Sequence, residues 1–229
     1  MIDEKQPFDL ILFDLGGVIV KLAGVQQMLA WSGQAGSENG LWQQWLSSRT
    51  VRDFESGRST PDRFADAMIT EFNLPVSSEQ FLAKFIRWPE RTYAGAKTLL
   101  SELARHFSLG VLSNTNELHW QRITSKMNFI HFFDWTFPSH LTGRLKPDLN
   151  TFRHAAEATG CPPDRILFFD DNQVNVDGAR GIGITGYAVS GVSGVIQKLH
   201  DLGLLNAQTF PYTSKHKSLI VIYSITTCD

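Results

Sequence analysis

The sequence predicts an α/β fold: a doubly wound parallel sheet carrying a small helical domain inserted after its first strand. Three apolar runs, FDLILFDL at 8–15, FSLGVLSN at 107–114 and RILFFDD at 165–171, have the length and near-unbroken hydrophobicity of strands buried on both faces. Helix-period segments alternate with these runs, as they must when parallel strands are joined by crossovers. Between about 22 and 90 the alternation stops and amphipathic helical segments stand alone.

Taken in order, the first run carries Asp14 at its end and is followed by Gly16 and Gly17, where the backbone turns toward the insert. Inside the insert, TPDRFADAMITEF opens on Thr60 with Pro61, a hydroxyl cap before a residue pre-set for the first helical turn. SSEQFLAKFIRW opens on Ser77 or Ser78 with Glu79 or Gln80 in the spacing of a capping box. Trp88 and Pro89 mark the way out. Further helices are expected over Thr92–His106, Asn116–Lys126, Asp148–Gly160 and Asn175–Gly183, the last stopped by Gly183. The expected division is a core of 1–21 and 91–206, a helical domain of 22–90, and a tail of 207–229 in which LIVIYSI has strand character but no assigned partner.

A chain of 229 residues, 42% hydrophobic, can fill a core of this kind. Its 21 basic and 23 acidic residues leave a net charge of −2, without the basic excess that nucleic acid or an anionic membrane surface would attract. Cys161 and Cys228 are too few for a disulfide framework and too isolated for zinc, which fits a reducing cytoplasm. The first apolar run is short and broken by Asp9 and Asp14, so neither a signal segment nor a membrane span is expected.

Open parallel sheets bind ligands at the carboxyl ends of their strands, where Asp14, Ser113, Asn114, Asp170 and Asp171 would converge. Singly, each has a structural explanation: a turn carboxylate, a helix-capping serine, an acidic pair on a solvated loop. Lys146, before a proline in RLKPD, reads alone as a surface lysine. Together and in this order, a carboxylate, a hydroxyl, a lysine and an acidic pair resemble the four motifs of the haloacid dehalogenase-like hydrolase superfamily, over roughly residues 8–200. FDLGGVI, LSNTNELH, LKPD and FFDDNQVNVDGA, with FESGRSTPDRFADAM in the insert, are most similar to bacterial sugar-phosphate phosphatases of the glucose-1-phosphate phosphatase type.

That resemblance implies that the insert is the family's small cap and that Asp14 attacks phosphorus to form an aspartyl-phosphate. It implies a Mg²⁺ ion held by Asp14, the main-chain carbonyl of Gly16 and Asp171, with Asp170 beside it and Asn175 in support. Ser113, with main-chain amides around Asn114 and Thr115, would bind phosphoryl oxygens. Lys146 would pair with the phosphate and with Asp14. The implied partner is a small phosphate ester such as a sugar 1-phosphate. Substrate choice is assigned to residues of about 22–90, where Arg49, Arg52 and Arg58 are candidate anion contacts, and the oligomeric state is left open.

At one position the sequence departs from the family pattern. A second Asp usually stands two residues after the nucleophile, protonating the leaving alkoxide and then deprotonating the attacking water; here that residue is Gly16. A leaving group that needs little protonation, such as an anomeric hydroxyl, would explain the change. Loss of phosphatase chemistry would explain it too, leaving an inactive binder of a phosphorylated metabolite, as would attack on carbon in the manner of a 2-haloacid dehalogenase. Dehalogenation needs no Mg²⁺ and would leave Asp170 and Asp171 without a purpose. A signalling receiver shares the residue types but places its acidic pair before the acceptor.

The remaining chemistry-bearing residues read as structural. His106, His119, His131, His140 and His154 lack metal-ligand spacing and are expected at the surface or at interfaces. Trp31, Trp42, Trp45 and Trp88 are expected to pack. GARGIGITG lacks the glycine spacing of a dinucleotide loop.

Overall fold

A computed structural model describes residues 7–31 and 38–205. The described elements are β1 (Leu10–Phe13), β2 (Val20–Leu22), α1 (Gly24–Trp31), α2 (Glu38–Ser47), α3 (Arg49–Glu55), α4 (Pro61–Glu71), α5 (Ser78–Phe85) and β3 (Pro89–Thr92). They continue with α6 (Ala96–Leu103), β4 (Ser108–Ser113), α7 (Glu117–Lys126), β5 (Trp135–Pro138), α8 (Ser139–Thr142) and α9 (Leu149–Thr159). β6 (Ile166–Asp170), α10 (Gln173–Arg180), β7 (Thr185–Ala188) and α11 (Gly191–Asp201) complete the series, and two short 3₁₀ turns precede β5 and β6. LIVIYSI and the rest of the tail at 207–229 lie outside the described residues.

Five strands form one parallel sheet in the order β5-β4-β1-β6-β7. β1 is fully buried because side chains alternate across it and both faces are covered. Ile11 and Phe13 join Leu109, Val111, Leu167 and Phe169 beneath α6, α7 and α11. Leu10 and Leu12 join Leu112, Ile166 and Phe168 beneath α9 and α10. From β1 the chain winds outward through β4 to β5, then returns to the other side of β1 for β6 and β7. The crevice at the carboxyl end of β1 is therefore the topological switch point, where such sheets take their ligands.

α1 to α5 form a separate layer with its own core of Met28, Trp45, Val51, Phe54, Phe64, Met68, Phe81, Phe85 and Trp88. Phe54 stacks on Phe64 with ring centroids 4.2 Å apart, and Trp45 lies 5.1 Å from Trp88. Trp31 packs 5.5 Å from Phe81, whereas Trp42 is exposed and outside this cluster, contrary to its expected packing role. Thr60 caps α4 as read from the sequence, and the capping box of α5 resolves to Ser77 with Gln80.

The structure also corrects several expectations. Pro89–Thr92 pairs antiparallel with Val20–Leu22 as a two-stranded connection between sheet and helices. Helix α6 therefore begins at Ala96, after Gly95 at φ +80°, rather than at Thr92. β5 and β7 were not anticipated: both are edge strands whose partial exposure leaves no apolar run to read. α10 begins two residues earlier than expected, capped by Asn172, and ends at Arg180, so Gly183 lies beyond it in the loop at φ +94°. No helix among the described residues is long and apolar enough to cross a membrane.

Candidate active site

Asp14 follows β1 directly and is fixed there by its own amide, which donates to the Phe169 carbonyl at 2.8 Å. The Lys146 ammonium bridges two acids, donating to Asp14 Oδ1 at 2.7 Å and to Asp170 Oδ2 at 2.6 Å. All three side chains are buried, and the ammonium also lies 5.4 Å from the Phe168 ring centre. The other Asp170 oxygen accepts the Asn172 amide at 2.8 Å and the Asn175 side chain at 3.0 Å, so Asp170 is fully engaged.

Asp171 is the more exposed third acid, and one oxygen each from Asp14, Asp170 and Asp171 lie within 4.8 Å of one another. Burial pushes the Asp171 carboxyl up to about 7, helped by repulsion from Asp14 and Asp170. Burial also raises Asp14, against the pull of Lys146 and a hydrogen bond from Ser113, with Asp170 adding repulsion. Lys146 loses charge stability to burial but is held protonated by Asp14 and Asp170. One ammonium thus faces three carboxylates, an arrangement that could hold a metal ion.

The residues present fit Mg²⁺. They offer hard anionic oxygens from two strand ends, with Asp170 already satisfied by Lys146 and amides. The carbonyl of Gly16 takes no part in the bonds that join Leu15 and Gly17 to Val20. Gly17, at φ +71°, makes room for the acid: a Cβ there would lie 1.9 Å from Asp171 Oδ2.

Of the main-chain amides expected to bind phosphate, that of Thr115 has other work, and Asn114 has a further role through its side chain. The Asn114 side chain clamps the Lys146 backbone, accepting its N–H at 2.9 Å and donating to its carbonyl at 3.0 Å. The Thr115 amide is committed to Ser139 Oγ at 2.8 Å. Ser113 is buried at the end of β4 beside Asp14. Among the candidate arginines, Arg49 and Arg58 both pair with Asp53. Arg52 and Arg58 line a cleft of about 640 Å³ together with Arg144 and Arg153.

The sequence pointed to no role for Ser139 or Glu55, and His119, expected at the surface or at an interface, lies at an interface. Ser139 Oγ accepts the Thr115 amide, and its own hydrogen faces the Glu55 carbonyl at 2.5 Å and the Thr115 carbonyl at 2.9 Å. His119 ties α7 to α5: its Nε2 donates to the Phe85 carbonyl at 2.8 Å, and its Nδ1 then accepts from the Asn116 side chain at 3.2 Å. Its ring stacks on Phe85 at 4.2 Å, and burial holds it down to about 4, with the Phe85 carbonyl opposing and Arg122 contributing. Glu55, at the end of α3, is raised to about 7, first by burial and then by the charge of Asp14, against the pull of Lys146 and Arg52. Its only sequence signal was its place in FESG.

Comparison with known proteins agrees with this geometry. A family model for haloacid dehalogenase-like hydrolases matches residues 8–183. Phosphatase MT3486 of Mycobacterium tuberculosis is 29% identical over 171 residues, 72% of this chain and 79% of that protein. The sesquiterpene phosphatase astK of Aspergillus oryzae is 24% identical over 180 residues, 78% of this chain and 88% of that one. Among solved structures, a haloacid dehalogenase family enzyme from Bacteroides thetaiotaomicron, in complex with magnesium and inorganic phosphate, superposes with a TM-score of 0.67. It is 25% identical and the match covers 80% of this chain and 94% of that one.

Proposed function

The chain belongs to the haloacid dehalogenase-like hydrolases, and from that premise we propose that it is a Mg²⁺-dependent phosphatase of small phosphate esters, acting through Asp14. The observation that carries the reading is the buried Lys146 ammonium shared between Asp14 and Asp170, with the Asp171 carboxylate beside them. Relatives named as phosphatases support it.

In this reading Asp14 is the nucleophile, and Lys146 keeps it ionised and oriented in a buried site. Ser113 donates to a phosphoryl oxygen. Asn114 acts through Lys146, holding its backbone so that the ammonium meets both acids. Asp14, Asp171 and the Gly16 carbonyl would hold the metal, which when bound supplies the positive charge that lets a carboxylate approach a phosphate dianion. Asn175 and Asn172 orient Asp170. The helical segment 22–90 serves as a cap over the crevice, excluding water and choosing the substrate.

The similarity of FDLGGVI, LSNTNELH, LKPD and FESG to glucose-1-phosphate phosphatases, together with Gly16, favours a sugar 1-phosphate. Its anomeric hydroxyl is more acidic than an ordinary alcohol and needs less protonation on departure. A Cβ at Gly16 would lie 3.9 Å from Asp14 Oδ2 and 2.8 Å from Leu22 Cδ1, so a methyl group of Leu22 occupies the space of a second acid. The test is hydrolysis of glucose 1-phosphate and glucose 6-phosphate, with Mg²⁺ or EDTA, by the parent and Gly16→Asp. Mg²⁺-dependent preference for the 1-phosphate, narrowed by the variant, is expected. Activity that survives chelation, or turnover of a haloacid instead, would overturn the reading.

A further inference from the structure

An acidic leaving group relieves only half of the catalytic demand created by Gly16. In the second half-reaction the attacking species is water whatever the substrate, and it still requires a base. Among the described acids of the crevice, Asp14 is the nucleophile, Asp170 is consumed by Lys146 and two amides, and Asp171 belongs to the metal set. Glu55 is the remaining acid, near enough to interact electrostatically with both Asp14 and Lys146.

Its position is built rather than incidental. Ser139, only 2% exposed, links through its Oγ the Glu55 carbonyl to the Thr115 amide, two residues beyond Ser113. Just past Glu55, Gly57 adopts φ +74° and packs so tightly on α8 that a Cβ there would lie 2.4 Å from the His140 carbonyl. Two contacts thus seat the end of α3 on the core, against α8 and the loop that follows Ser113.

We propose that Glu55 replaces the absent second acid as the general acid and base of the reaction. This rests on the phosphatase reading and completes it. In the first step Asp14 bonds to phosphorus, the bond from phosphorus to the leaving oxygen breaks, and the Glu55 carboxyl gives that oxygen its proton. In the second step water attacks phosphorus and passes a proton to the Glu55 carboxylate. The bond from phosphorus to Asp14 breaks, phosphate leaves, and both acids return to their starting states.

The test compares the parent, Glu55→Gln and Glu55→Asp on p-nitrophenyl phosphate and an alkyl phosphate in Mg²⁺, with thermal unfolding to confirm that each variant is folded. For Glu55→Gln, kcat/KM should fall by roughly 10²–10⁴-fold on the alkyl ester but by less than about tenfold on the nitrophenyl ester, whose leaving group needs no proton. That variant should also release one nitrophenolate per enzyme in a burst and then turn over slowly, with acid-stable trapping of phosphate on Asp14. Glu55→Asp, which keeps an acid, should recover part of the loss. Equal losses on the two esters without a burst, or no loss on either, would overturn the role of Glu55 while leaving the phosphatase reading intact. A parent inactive on every ester would overturn both.

Discussion

Lys146 holds its ammonium 2.7 Å from Asp14 and 2.6 Å from Asp170, so removing it leaves two buried carboxylates facing each other. Breaking a buried pair from one side costs about 3–5 kcal/mol, chiefly through the charge left uncompensated. Lys146→Met should therefore lower stability by about that much in urea unfolding, and adding Asp170→Asn should recover part of the loss. Full additivity of the two substitutions would argue that the bridge is unimportant. The residue types at this site were legible because each stands at the end of an apolar run or beside a proline. Their division of labour was not: nothing local in LSNTN tells that the Asn114 side chain clamps Lys146 or that the Thr115 amide is spent on Ser139.

Helix α7 meets α5 through His119, and this strap makes stability depend on pH. Folded His119 is held down to about 4, below the 6.5 of an ordinary histidine, because its ring is buried against Phe85 with Arg122 adding repulsion, although the Nε2 bond to the Phe85 carbonyl pulls the other way. The stability it confers is complete above 6.5 and is lost as pH falls from there toward 4, since only the unfolded chain gains the proton. Over that whole range the loss should approach about 3 kcal/mol, at about 1.36 kcal/mol per pH unit. His119→Gln, which keeps a donor but does not titrate, should flatten the melting temperature between pH 7 and 4.5. An unchanged slope would assign the acid lability elsewhere. At the start of α5, Ser77→Ala removes one arm of a capping box and should cost about 1 kcal/mol, measured by urea unfolding. That box was visible as a pattern, with its partner fixed only by the structure as Gln80. The edge strands β5 and β7 gave no such pattern, because a strand with one free edge and exposed ends needs no continuous apolar run.

Across the whole molecule, the sheet gathers three acids from two strand ends into a cluster that could hold a metal ion. Mg²⁺ bound to the folded chain alone should raise stability by about 2.7 kcal/mol at a hundred times its dissociation constant, read as a rise in melting temperature that EDTA reverses. Asp171→Asn should abolish the rise and, by relieving repulsion with Asp14 and Asp170, stabilise the metal-free protein. A rise that persists in this variant would place the ion elsewhere. The sequence by itself determined the parallel sheet, the helices with their caps, and the kinds of group at each strand end, because these follow from hydrophobic period, backbone preference and chemistry carried by neighbouring residues. Only the tertiary structure decided that Ser139 would join Glu55 across 84 residues, and that Lys146 would meet Asp14 across 132. Such contacts depend on where the sheet order and the helical layer bring distant segments together, and no local preference along the chain encodes that distance.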